Sequence, residues 1–140
     1  MGKAAGNGSS PVYVQEIPIS VPSAIATGVF TSLKNSSAAF LGTGAMILRA
    51  YLRITTASTG AGTIDIGITS TSATTASDIL FDGLSTAATG VFDSMDGTDN
   101  GTNGVAKPQV WAEDAWVTLA EASGDLAGLV GTLYIEYTYL

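Results

Sequence analysis

The chain has no cysteine and no histidine in its 140 residues. Without cysteine there is no disulfide framework and no thiolate chemistry. Without histidine the commonest general base and the commonest transition-metal ligand are both missing. Charge is scarce, at 12% of residues, where about a quarter is usual. Bases are scarcer still: Lys3, Lys34, Arg49, Arg53 and Lys107 are scattered and face twelve acids, for a net charge of −7. A protein that binds nucleic acid needs a basic stripe to displace counterions from phosphate, and none is present. No run reaches the ~18 apolar residues of a membrane helix. The opening MGKAAGNGSS has no apolar stretch of the kind a secretory signal carries. Such a protein would reach the outside after lysis, by another route, or within a particle.

What is present is a globular composition, with 46% hydrophobic residues, enough to bury a core in one domain of this length. With so little charge, the polar surface must come from Thr, Ser, Asn and Gly. That suits a subunit packed against others, or an exported or virion-exposed coat. Residues 1–11 read as a flexible N-terminal arm, because this Gly/Ser/Ala stretch offers almost nothing to a core. Residues 12–140 read as a single β-sandwich domain.

The strands follow from period-two patterning. Pro11–Val21 is the first, with Pro18 and Pro22 confining it to an edge or breaking it. Ala24–Phe30 continues it after a turn. Turn signals follow at Lys34-Asn35-Ser36 and Gly42-Thr43-Gly44. Ala45–Thr56 splits cleanly as a strand. Met46, Leu48, Ala50, Leu52 and Ile54 form one row; Ile47, Arg49, Tyr51, Arg53 and Thr55 form the other. Thr63–Thr69 puts Ile64, Ile66 and Ile68 inward, and with the preceding strand predicts a hairpin around Thr59–Gly62. Ser70–Ala76 is a Ser/Thr loop. Asp78–Leu84 is a short helical turn or a short strand. Val91–Met95 is short and apolar, and Asp96–Gly104 is a loop. Val105–Val110 carries Pro108 and is an edge strand or a connector. Trp116–Ala122 is a strand.

The apolar stretch Ala127–Leu140 needs a cover. Leu129, Gly131, Leu133, Ile135, Tyr137 and Tyr139 share a face fit for the domain core, and the strand's length and aromatics place it centrally in a sheet. Tyr134, Glu136 and Leu140 remain for a partner. Seven to nine such strands predict an all-β antiparallel sandwich, jelly-roll-like, with an immunoglobulin-like sandwich as the alternative.

Few residues suggest chemistry. Asp93, Asp96, Asp99, Asn100 and Asn103 offer oxygen ligands suited to calcium, although the EF-hand spacing is absent and the same residues are turn formers. No cofactor is expected. Asp78 and Asp82 could be a carboxylate pair of the glycosidase kind; capping and turn bonding explain them better. Glu113 and Asp114, beside Trp111 and Trp116, could line a sugar site, or the tryptophans could be core packing. A serine nucleophile lacks a base, and neither G-x-S-x-G nor a Walker loop occurs. Arg49, Tyr51 and Arg53, on one side of one strand, are the best charged contact patch, pairing with acids of a neighbouring subunit. With Lys3, Tyr13, Tyr134, Glu136 and Leu140 they form the expected subunit contacts.

Three stretches, TTASTGAGTIDIGITS, ILFDGLSTAATGVFDS and ASGDLAGLVGTLYIEYTYL, resemble a group of small β proteins found among tailed-phage and prophage head genes. The resemblance runs from about Ala45 to Leu140. It implies a virion structural protein made in the host cytoplasm: a jelly-roll-like capsid decoration (cement) protein on the outer shell. Such proteins are often trimeric and bind where major capsid subunits meet. A tail, fibre or filament subunit and a carbohydrate-binding adhesion module fit the same features. No nucleic-acid or membrane partner is expected.

Overall fold

The computed structural model describes residues 11–23, 30–32, 40–42, 44–70, 77–111 and 114–139, with backbone alone at 30–32, 40–41 and 70. The arm before Pro11, the continuation over 24–29, the turn at 34–36, the loop at 71–76, Lys3, Glu113 and Leu140 lie outside the described residues. Among the described residues every regular element is a strand. In chain order these are β1 (Tyr13–Ser20), β2 (Phe30–Ser32), β3 (Phe40–Leu41), β4 (Ala45–Thr56), β5 (Thr63–Ser70), β6 (Phe81–Ser85), β7 (Gly90–Asp93), β8 (Gln109–Val110), β9 (Ala115–Ser123) and β10 (Val130–Tyr139).

Two antiparallel sheets form, one in the order β1-β10-β4-β7 with β8 also on β4, the other β2-β9-β5-β6 with β3 also on β9. The protein is an all-β sandwich. With β3 and β8 set aside, the order is compatible with an eight-strand jelly roll. β10 is central, between β1 and β4, as its length and aromatics predict.

The core is built from β-branched and leucine side chains facing each other across the sheets. Ile17, Ile19, Ile47, Leu52, Ile54, Leu133 and Ile135 come from one sheet; Ile64, Ile66, Ile68, Phe81, Val117 and Leu119 come from the other. Burying each such side chain contributes about 1.5–3 kcal/mol. The inward face of β5 is the one its alternation predicts, and so is that of β10 as far as Ile135; at the end of β10 Thr138 is buried and Tyr139 exposed, against the predicted alternation.

β4 departs from its predicted alternation. Ala45 and Ile47 are buried before Leu48, and Ala50, Leu52 and Ile54 after it, while Met46 and Leu48 are half-buried. The cause is a bulge: Glu136 faces Arg49 but Tyr137 faces Ile47, so Leu48 is the extra residue and the side-chain parity flips. After the bulge, Arg49, Tyr51 and Arg53 keep their predicted outward face.

β4 and β5 do not form the predicted hairpin, since β4 pairs with β10, β7 and β8, and β5 with β9 and β6. The segment from Ala57 to Gly62 instead crosses from one sheet to the other. Its polar groups find partners there: Ser58 N–H donates to Thr86 O at 2.9 Å, Thr86 N–H to Gly62 O at 3.0 Å, and Thr59 N–H to Ala127 O at 2.9 Å. The Ser58 and Thr86 hydroxyls meet at 2.7 Å in the interior. Gly62 is needed for closeness here rather than for a tight hairpin, because a Cβ would sit 2.8 Å from the Asp125 carbonyl carbon.

Asp78–Leu84 resolves to a bend followed by β6, and Val105–Val110 to a connector ending in the two-residue β8.

Candidate assembly surface

The outer face of the β1-β10-β4-β7 sheet gathers most of the residues expected to make contacts. Register alone places them in rows. Glu16, Tyr134, Tyr51 and Asp93 lie side by side across four strands. Val14, Glu136 and Arg49 form the row on one side; Pro18, Thr132, Arg53 and Val91 form the row on the other. Val91 is 65% exposed and Val14 55%, so the face offers apolar as well as polar contact area.

Arg49 organises the charge on this face. Its guanidinium is salt-bridged to Asp93 and lies over the Tyr51 ring, 4.9 Å from its centroid, a cation–π geometry. The hydrogen bond to Asp93 holds the Arg49 pKa above its ordinary value; burial opposes this, and the charges of Asp93, Tyr51 and Glu136 add to it. Arg49 therefore has an acid partner within its own chain. Arg53 is exposed and has no salt bridge among the described residues.

Tyr13 sits apart from this patch. It belongs to the other side of β1, where its ring stacks on Tyr137 at 5.5 Å and meets Tyr139 edge-on at 6.1 Å. Burial raises the Tyr137 pKa, and its two neighbours add to the shift. Tyr13 and Tyr139 stay exposed, so this trio is a second aromatic surface at one end of the sandwich. The sequence shows Tyr137 and Tyr139 on one face but not that Tyr13 joins them, because that depends on the β1–β10 register.

The acidic loop is tied into the fold by its own carboxylates. One Asp93 oxygen bonds Arg49 and the other accepts Met95 N–H. Asp96 accepts the N–H and hydroxyl of Thr98, which holds its pKa below the ordinary value. Asp99 accepts Asp93 N–H at 2.9 Å. Among the described residues no three acids are grouped to share a cation. Asn100 is buried and donates to Ser94 O, and the Ser94 hydroxyl accepts Ala50 N–H at 2.8 Å. Ser94 N–H in turn donates to Ala50 O, so this serine continues the edge of β4 between β7 and β8.

Asp78 and Asp82 are occupied by the same loop. Asp82 accepts Asn103 N–H at 2.9 Å, and Asp78 accepts the Asn103 side-chain amide at 3.0 Å. Trp111 and Trp116 are partly buried against the core, which is the packing alternative of the sequence reading; Asp114 is exposed.

Asp65, on β5, accepts Gly83 N–H at 2.8 Å. Its pKa is raised, chiefly by burial, then by the charges of Asp82 and Asp78, against the lowering effect of the Gly83 bond. The folded chain therefore holds this proton more tightly than the unfolded chain does. The linked stability is complete below the ordinary value of 3.8 and is lost as pH rises through the folded value. Asp65→Asn keeps the acceptor and removes the charge. Calorimetry should find the variant slightly more stable than the parent at pH 7, with the advantage gone near pH 3. An equal deficit at both pH values would contradict this.

No family model matches the chain, and no curated protein matches it significantly. Among solved structures, a chain of the acidic stable capsid structure of Helicobacter pylori bacteriophage KHP30 is similar in fold. Its TM-score is 0.57 at 14% identity, over 92% of this chain and 88% of that one.

Proposed function

We propose that this chain is a non-enzymatic virion structural protein, a capsid decoration or cement subunit that works by adding contact area between shell subunits. The observation that carries the reading is the fold likeness to a chain of a phage capsid, spanning nearly the whole of both chains. Coverage this even means that the two chains are of similar size, as two small shell components would be. The low charge and the outer face of the β1-β10-β4-β7 sheet support the same reading. Arg49, Tyr51, Arg53 and Tyr134 are of the types that dominate interface energetics, arginine and tyrosine, set among valines that exclude water. The partners on this reading are the major capsid protein or other virion subunits, together with further copies of the chain, as a trimer.

The test is immunogold labelling of particles purified from a lysate in which the gene is expressed with its neighbours. Label on the outside of heads is expected. Label on tails would move the subunit to a tail or fibre, and protein found only in the soluble fraction would end the virion reading.

A further inference from the structure

β1 leaves one edge of its sheet open among the described residues. β1 bonds β10 along one side only, and among the described residues no strand lies on its other side. Which residues face that open side follows from two observations. Val21 N–H donates to Leu129 O, so odd-numbered residues bond inward across an unbroken register. Pro18, which has no N–H, falls among the even-numbered set. Val14 and Glu16 therefore turn their N–H and C=O groups to the open edge, and Val12 continues the series. Pro18 blocks further pairing beyond Glu16. Between Pro11 and Pro18 the stretch has no lysine, proline or bulge, and Glu16 is its one charge, so little protects this edge.

We propose that a second copy of this chain adds to this edge, β1 against β1, antiparallel about a two-fold axis at Val14. In such a pair a residue lies opposite its own counterpart at the axis, as an isologous contact requires. Val14 exchanges both backbone bonds with the partner's Val14, and Val12 does so with the partner's Glu16. This register needs no N–H from Pro18. It also keeps the two Glu16 carboxylates apart, each opposite a valine. Centring on Glu16 instead would oppose like charges and align Val14 with the proline that cannot donate. The contact joins two sheets edge to edge and stands independently of the virion reading.

Because position 14 opposes itself, charge reversal tests the axis directly. Val14 is half-exposed on the outer face, so Val14→Lys and Val14→Glu should fold, which circular dichroism and thermal melting check. Sedimentation equilibrium of the full chain should give a concentration-dependent doubling of mass, from monomer to dimer or, where the proposed trimer holds, from trimer to larger two-fold-linked species. Each single variant should weaken it by about fivefold or more through like-charge opposition. An equimolar mixture of the two variants should regain the parent affinity or exceed it. A nitroxide on Val14→Cys, in a chain otherwise free of cysteine, should show strong dipolar broadening in the dimer. A parent that stays monomeric at every concentration would overturn the proposal. So would an oligomer of any size that both charge variants leave unchanged, or an unbroadened label.

Discussion

Replacing Phe81 with alanine is expected to remove about 3–5 kcal/mol of stability, a large share of the total for a domain of this size. Phe81 is fully buried and opens β6, the outermost strand of its sheet. It faces Ile66, at a point where the β5–β6 ladder shifts register. The ladder is therefore weakest where this side chain contributes most, and truncation leaves both a cavity and a loosened edge. Urea denaturation measures the effect. A shift in midpoint with an unchanged slope is expected. A loss below about 1 kcal/mol would mean that the core collapses around the site instead of holding a cavity.

Gly101→Ala should be the next most damaging change. Gly101 has φ +76, and a Cβ there would overlap the carbonyl oxygen of Asp82. The left-handed conformation costs an alanine about 1–2 kcal/mol, and the overlap adds about 1–3 kcal/mol of overpacking. The backbone oxygen cannot move freely, because Asp82 N–H is itself bonded to Asn100 O. The loop should lift, and the Ser94 bonds to Ala50 should weaken with it. Hydrogen exchange at the Ala50 amide reads this directly. Gly97→Ala is the control: nothing lies within 4 Å of a Cβ there, and the melting temperature should barely change.

The loop's role could not be read from its residues. Asp, Asn and Gly at those positions serve equally as cation ligands, solvated turn formers or a docked plug. Only the arrival of β6 and β4 beside them decides. The same limit explains the mistaken hairpin. Alternation reveals which face of β4 and β5 is apolar, but not which strand lies beside either one. A glycine-rich turn between two strands then looks like a hairpin whether or not they share a sheet. Where one chain segment suffices, the reading held: β4 spans Ala45–Thr56 as predicted, and the isoleucines of β5 point inward. The bulge at Leu48 carries no glycine or proline to mark it. The outward trio Arg49, Tyr51 and Arg53 was legible because it lies wholly beyond that bulge. The tie between Arg49 and Asp93 was not, since it needs β7 to lie against β4.

The position of β10 between β1 and β4 also sets a timetable for synthesis. When β1 and β4 leave the ribosome, the strand that joins them has not been made. One complete sheet of the sandwich therefore cannot assemble on the nascent chain before Val130–Tyr139 emerges. Completion of this sheet waits for its last strand and is dominated by distant pairings, which puts the domain among slow β-sandwich folders. Until β10 inserts, β4 exposes an apolar edge on a chain with little charge to keep neighbours apart. High-level expression should therefore lose material to aggregation of newly made chains, even though the finished domain is well packed.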